Sequence, residues 1–261
     1  MTPGPAPLGQ HALADPALVE RLVAAARIQE GERVLDVGAG EGAIALALAR
    51  AVGPQGEVVA VELAAPLAAS LRARAPRQLR VVVGDALTLP LPRADAVVAN
   101  PPFKIAAPLL LRLLDAGFGR ALLVLPEELA ERLLARPRTE RYGPLTLQVG
   151  LRARCQALFA VPARAFAPPP RVRCRVVRVE PRPLPEGVDG GVLDALLACA
   201  WASKQRTLRH GLAQLAPRLG ASSGAITEVL RARGWEGARP AELSPADYAA
   251  LARALTDARG L

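Results

Sequence analysis

Residues 33–43 read Arg-Val-Leu-Asp-Val-Gly-Ala-Gly-Glu-Gly-Ala. An apolar run ending at Val37 breaks at Gly38, Gly40 and Gly42, then resumes at Ala43 as a stretch of helix formers reaching Val52. A strand that turns through glycines into a helix lets a ligand approach the backbone closely and points a helix N-terminus at it, which suits polar or anionic groups. Residues 57–62 read as the next strand, and Glu62 closes it 20 residues after Gly42. A carboxylate at that place can accept both ribose hydroxyls of an adenosine-containing cofactor. The fingerprint alone leaves a dinucleotide site open, because Gly38-x-Gly40-x-x-Ala43 also fits one with Ala in third place.

The same alternation continues outward. Strand-like runs at 79–83, 94–100 and 121–125 are separated by helical stretches at 66–75, 105–115 and 127–134. Continuously apolar, β-branched runs mean strands buried on both faces, hence a parallel sheet flanked by helices. Residues 145–158 and 171–179 then read as two longer strands, the second alternating Val and Arg so that one face is buried and the other cationic. Pro181-Arg-Pro-Leu-Pro185 reads as a linker, followed by helical patterns at 192–202, 207–215, 222–233 and 245–255. Ser244-Pro-Ala-Asp247 is a helix start, with Ser at the N-cap and Pro in the first helical position.

Two more strand ends narrow the cofactor. The third strand ends in Gly84-Asp85-Ala86 and the fourth in Asn100-Pro-Pro-Phe103. In open α/β sheets the ligand lies beyond the carboxyl ends of the strands, so both segments are expected to reach one crevice. Asp85 suits the adenine amine of S-adenosylmethionine (SAM). The Asn-Pro-Pro-Phe segment suits amine methylation. The exocyclic amine of adenine is a poor nucleophile because its lone pair is delocalised into the ring. An Asn side-chain carbonyl and a neighbouring backbone carbonyl can accept its two hydrogens and turn the lone pair toward a methyl donor. Prolines hold that loop in shape beforehand, and Phe103 offers a ring on which an extruded base can stack.

Composition limits the alternatives. A chain of 261 residues, 51% hydrophobic and 22% charged, has enough apolar material for one domain, or for one large domain plus a small one. No apolar run approaches the ~20 residues of a membrane span, and the N-terminus lacks a secretory pattern. Cys155, Cys174 and Cys199 form no disulfide framework and no CxxC pair, and His11 and His210 are the only histidines, so no metal site is expected. A cytoplasmic setting with reduced thiols follows. The net charge is +9, and residues 132–182 hold twelve arginines against Glu140 and Glu180, a local excess of +10. A basic stretch on a neutral body is what a phosphate-backbone binder needs. Arg171, Arg173 and Arg175 share one parity, so in a regular strand they face the same way, with Arg178 on the other side.

These motifs, in this order, resemble the ribosomal RNA adenine dimethyltransferases (the KsgA family) over nearly the whole chain. Leu8-Gly-Gln-His-Ala-Leu13 is similar to that family's N-terminal signature, and residues 36–42, Glu62, 84–86 and 100–103 are similar to its cofactor and catalytic motifs. The segments 142–149, 166–172 and 204–208 resemble three further family motifs. The resemblance implies a SAM-dependent methyltransferase, Rossmann-like α/β fold over residues 1–183 with an N-terminal arm, and a small helical C-terminal domain over 184–261. It implies transfer of four methyl groups from SAM to two adjacent adenosines near the 3′ end of small-subunit ribosomal RNA, within the immature small ribosomal subunit. By the same analogy Gln10 and Leu13 line the cofactor pocket, Gly38 and Gly40 form its floor, and Glu62 with Leu63 holds the ribose side. Asp85 and Ala86 meet the adenine, and Asn100 touches both cofactor and target. Asn100 and Pro101 orient the target amine, and Phe103 and Phe166 bracket the target base; the basic stretch itself makes Arg171, Arg173 and Arg175 the expected RNA contacts, with Lys204 of the 204–208 motif beside them. A monomer is expected.

Two positions depart from the family pattern: Pro101 stands where Leu or Ile is usual, and Ala12 replaces the aromatic of the N-terminal signature. Proline keeps its carbonyl, so the acceptor role survives. The rival readings are an Erm-type large-subunit RNA methyltransferase, a protein-glutamine methyltransferase and a non-catalytic assembly factor. The form of the arm and the 204–208 motif favour small-subunit RNA over the first. The basic segment favours RNA over protein, and the intact Asp36, Glu62, Asp85 and Asn100 favour catalysis. Neither histidine is needed as a base, since the amine proton can leave to water after transfer.

Overall fold

A computed structural model describes residues 11–215, 218 and 223–259. The described residues open with β1 (Ala12–Leu13) and α1 (Pro16–Ala26), then alternate β2 (Arg33–Val37), α2 (Ala43–Ala51), β3 (Glu57–Glu62), α3 (Ala65–Ala73) and β4 (Leu79–Val83). They continue with β5 (Ala94–Ala99), α4 (Ala106–Ala116), β6 (Phe118–Pro126), α5 (Glu127–Leu133), α6 (Pro144–Arg152), β7 (Ala153–Val161), β8 (Phe166–Ala167) and β9 (Cys174–Pro181). Then come α7 (Gly190–Ala202), α8 (Leu208–Gly211), α9 (Ser223–Ala232) and α10 (Pro245–Arg259).

The main sheet runs in the order β4-β3-β2-β5-β6-β9-β7. Strands β2 to β6 pair in parallel, and β9 runs antiparallel to β6. The order reverses beside β2: the chain builds outward through β3 and β4, then returns to β5 on the other side. Such a switch point opens a crevice at the carboxyl ends of the strands, and β2 feeds the glycine turn into it. The central strands are apolar in their middles, with Leu35, Val59, Val97 and Leu123 each no more than 1% exposed. Arg33, Glu57, Asp95 and Arg120 sit near the strand starts, whereas Asp36 and Glu62 are ionisable residues buried near the ends of β2 and β3.

The contacts divide the chain into two compact units, one running to Ala130 and including Cys155–Pro181, the other made of Glu131–Arg154 and everything from Arg182. The division differs from the expected 1–183 and 184–261, because residues 131–154 share the core of the second unit. Tyr142, Leu147 and Leu151 pack there with Leu193, Leu196 and Tyr248, and the Tyr142 hydroxyl donates to the Leu243 carbonyl at 2.7 Å.

Two expected strands are corrected. Residues 145–158 form not one strand but α6 followed by β7. Pro144 sits in the first turn, Thr146 Oγ1 accepts from the Gly143 amide and donates to the Arg132 carbonyl, and Leu147 and Leu151 meet the core one helical turn apart. The second strand starts at Cys174 rather than Arg171. Its partner β6 ends opposite, in the pair Pro126 with Cys174, so residues 171–173 have no ladder to join. Arg171 and Arg173 therefore lie in an exposed lead-in, and Arg175 alone of the three is on the strand. Among the described residues no helix is long and apolar enough to cross a membrane.

Candidate active site

The glycine turn is built for close approach. Gly38, Gly40 and Gly42 take φ of +75°, +55° and +89°, a region L side chains rarely adopt. A Cβ on Gly38 would come within 2.9 Å of Pro102 Cδ, so this glycine lets the 100–103 loop pack directly onto the turn. A Cβ on Gly40 would meet nothing within 4 Å. It would project into a cleft of about 870 Å³, lined by Leu13, Asp36, Gly38, Gly40, Asn100 and Phe166 among others.

Glu62 braces the turn from the next strand. One carboxylate oxygen accepts from the Gly40 amide and the other from the Ala64 amide, both at 2.8 Å. Each oxygen keeps a further lone pair for a ligand hydroxyl. Beyond it lies a smaller pocket of about 180 Å³ lined by Glu62, Leu63, Gly84, Asp85, Ala86 and Lys104 among others. Asp85 accepts the Leu87 amide on one oxygen at 2.8 Å. Leu63 is 54% exposed, an apolar side chain at the pocket edge.

Asp36 is buried on the cleft floor, and its carboxylate oxygens have no well-formed hydrogen bond among the described residues, the Ala45 backbone amide being the polar group turned toward them. Burial, then the neighbouring Glu62 charge, raise its pKa to about 8, with the Ala45 backbone amide pulling the other way. A raised folded-state pKa means the native protein holds a proton that the unfolded chain has already released above pH 3.8. Stability therefore falls as pH rises from about 4 to about 8 and levels off above that. Asp36→Asn, which does not ionise, is expected to lack this slope. Urea unfolding of the ligand-free protein at pH 5 and pH 8 checks it: the variant gains on the native protein at the higher pH, and an equal difference at both values contradicts the assignment.

The Asn100 side chain is held from the arm. Its amide nitrogen donates to the His11 carbonyl at 2.7 Å. A carbonyl can only accept, so the NH2 must face it and Oδ1 must face the other way. That Oδ1 is buried with no hydrogen-bond partner. The His11 ring lies 5.5 Å from the Phe103 ring, tilted by 32°, and its Nδ1 is 2.8 Å from the Pro168 carbonyl. Strand β1 pairs with β8, Leu13 opposite Phe166, which sets Ala12 and Leu13 in the wall of the cleft.

The structure brings Leu13, Gly38, Gly40, Asn100 and Phe166 to one cleft and Glu62, Leu63, Asp85 and Ala86 to the pocket beside it. Pro101 and Phe103 line a third hollow with His11 and Ala12. Gln10 lies outside the described residues. Arg171 and Arg173 are exposed, whereas Arg175 is bound to Glu127 at 2.8 Å and so is not the free cation the parity argument expected. Arg178, of the other parity, donates to the Ala25 carbonyl at 2.7 Å. Lys204 is exposed in the second unit. His11 and Lys104 were not among the site residues read from the sequence. Nothing in residue type or spacing marks a backbone carbonyl such as that of His11, and the sequence signal for Lys104 is its place directly after Phe103.

Comparison with known proteins gives a consistent picture. The ribosomal RNA adenine dimethylase family profile matches residues 6–237. The ribosomal RNA small subunit methyltransferase A of Parasynechococcus marenigrum is 36% identical over 265 residues, covering 95% of this chain and 85% of that protein. A dimethyladenosine transferase from Plasmodium falciparum superposes with a TM-score of 0.79 at 24% identity, covering 92% of this chain and 96% of that one. The 23S rRNA methyltransferase ErmE has the same fold, with a TM-score of 0.66 at 24% identity over 93% of this chain and 98% of that one.

Proposed function

This chain belongs to the ribosomal RNA adenine dimethylase family, and on that premise we propose that its cleft methylates two adjacent adenosines near the 3′ end of small-subunit ribosomal RNA, taking the methyl groups from SAM. The observation that carries the reading is the buried, unpartnered Oδ1 of Asn100. A preorganised acceptor whose own amide is locked by the His11 carbonyl is what an adenine amine requires. Oδ1 and the Pro101 carbonyl take the two amine hydrogens, which frees the nitrogen lone pair.

The donor set fits SAM. Gly40 leaves room where a side chain would block the cleft, Glu62 offers acceptors to ribose hydroxyls, and Asp85 has an oxygen left for the adenine amine. Asp36 sets two buried, unpartnered oxygens on the cleft floor; in their ionised form they are complementary to the ammonium of the methionine moiety, whose charge draws the raised Asp36 pKa back down. SAM supplies an electrophilic methyl group on a sulfonium; the protein supplies orientation and the exclusion of water. Phe103 is the stacking surface for the target base. The His11 ring beside it stands in for the aromatic that Ala12 lacks, and Phe166 closes the far wall. The enzyme acts as a cytoplasmic monomer.

Of the candidate RNA contacts Arg171, Arg173 and Arg175, the first two remain open to solvent. Each phosphate contact contributes about 0.7–0.9 to the slope of log affinity against log salt. Arg171→Gln with Arg173→Gln is expected to make that slope shallower by roughly 1.4–1.8 units, while Arg175→Gln, whose partner is Glu127, leaves it nearly unchanged. RNA binding over a salt series decides this, and a native slope in the double variant removes the pair from the interface.

Incubation of the protein and methyl-labelled SAM with immature small subunits, large-subunit RNA and total protein tests the function. Label is expected in small-subunit RNA. Label confined to large-subunit RNA or to protein overturns the proposal.

A further inference from the structure

Arg112 lies on α4, the helix that follows the 100–105 loop. Its guanidinium forks onto the loop after β4: Nη2 donates to the Leu89 carbonyl at 2.7 Å, and Nη1 donates to the Leu87 carbonyl. That loop carries Asp85. The Leu87 amide donates to Asp85 Oδ1 at 2.8 Å, and the Thr88 and Leu89 amides donate to the Asp85 carbonyl at 3.0 and 2.8 Å. The Leu87 residue is therefore held at both ends, its carbonyl by Arg112 and its amide by the Asp85 side chain. Fixing Leu87 fixes the Asp85 rotamer, and with it the direction of the second carboxylate oxygen. An arginine suits this task because its planar fork meets two carbonyls at once, which a lysine ammonium meets less well.

We propose that Arg112 is a positioning residue for cofactor recognition: from the catalytic-loop helix it sets the Asp85 turn in the geometry that receives the adenine of SAM. The proposal rests on the reading of Asp85 and Ala86 as the adenine site. It also joins the two halves of the reaction, since the helix that positions the adenine turn begins where the loop bearing Asn100 ends.

A double-mutant cycle read by SAM calorimetry tests it. Arg112→Gln is expected to weaken SAM binding about tenfold, the size of one lost charge-assisted hydrogen bond. Arg112→Lys falls between Gln and the native protein. Asp85→Ala weakens binding by itself, and adding Arg112→Gln to it costs no more than about twofold further, because Arg112 acts through Asp85. A purely structural role predicts the full tenfold loss in the Asp85→Ala background as well, and that result overturns the proposal. So does native affinity in both Arg112 variants. If Arg112→Gln does not fold, the cycle is run with Arg112→Lys. Native affinity in Asp85→Ala overturns the adenine-site reading and the proposal with it. A weakened Asp85→Ala beside unaffected Arg112 variants overturns only the role of Arg112.

Discussion

Asn100→Ala is expected to lower methyl transfer by ~10²–10³-fold while leaving SAM affinity nearly intact. The reason is the division of labour in the cleft. Oδ1 is buried and unpartnered, so in the ligand-free enzyme it has no role that its loss would disturb. Its desolvation has been met in folding, and the return comes only when the target amine arrives. The amide half is bound to the His11 carbonyl, and losing it frees the arm locally without touching the Glu62 and Asp85 side of the site. Single-turnover methylation at saturating SAM, beside calorimetry, separates the two effects. Near-native turnover would mean that another group orients the amine. Equal losses in binding and rate would mean that Asn100 serves the cofactor rather than the target.

Glu62→Ala carries the second large effect, on binding. A carboxylate that holds ribose hydroxyls gives up about 1.5–3 kcal/mol per charged hydrogen bond when removed, so SAM affinity is expected to fall about ten- to a hundred-fold. Glu62 also anchors the Gly40 and Ala64 amides, so the glycine turn loosens as well and the loss belongs at the upper end. The same change lowers the Asp36 pKa from about 8, because the Glu62 charge is one of the two causes that raise it. Loss of SAM affinity together with a shallower pH dependence of stability identifies this coupling. Unchanged affinity in a folded variant removes Glu62 from the site.

Much of the fold was legible because parallel strands leave a plain trace. The runs at 33–37, 57–62, 79–83 and 94–99 are mostly apolar and β-branched and lead into Gly38, Glu62, Gly84 and Asn100, and the structure sets all four ends around the crevice beside β2. The errors came where sequence alternation and tertiary packing disagree. Leu145, Leu147, Val149 and Leu151 alternate as a strand would, yet Pro144 and the core of the second unit hold them in α6. The Val and Arg alternation from Arg171 pointed to one cationic strand face. Where a strand begins depends on its partner, and β6 has ended by Pro126. Within the site, glycines and carboxylates were readable by type and spacing. The His11 carbonyl that locks Asn100 and the Arg112 fork that braces the Asp85 turn were not, because each joins segments far apart in sequence: 89 residues separate His11 and Asn100, and 25 separate Arg112 and Leu87.

The central claim, methylation of paired adenosines in small-subunit ribosomal RNA, is tested most directly by nuclease digestion and mass spectrometry of that RNA. Immature small subunits from cells lacking the activity are incubated with the protein and SAM, then mapped. The account predicts N6,N6-dimethyladenosine at two adjacent positions near the 3′ end, absent when Asn100→Ala replaces the native protein. Dimethylation at a single isolated adenosine, or no methylated adenosine at all with a protein that binds SAM, would contradict it.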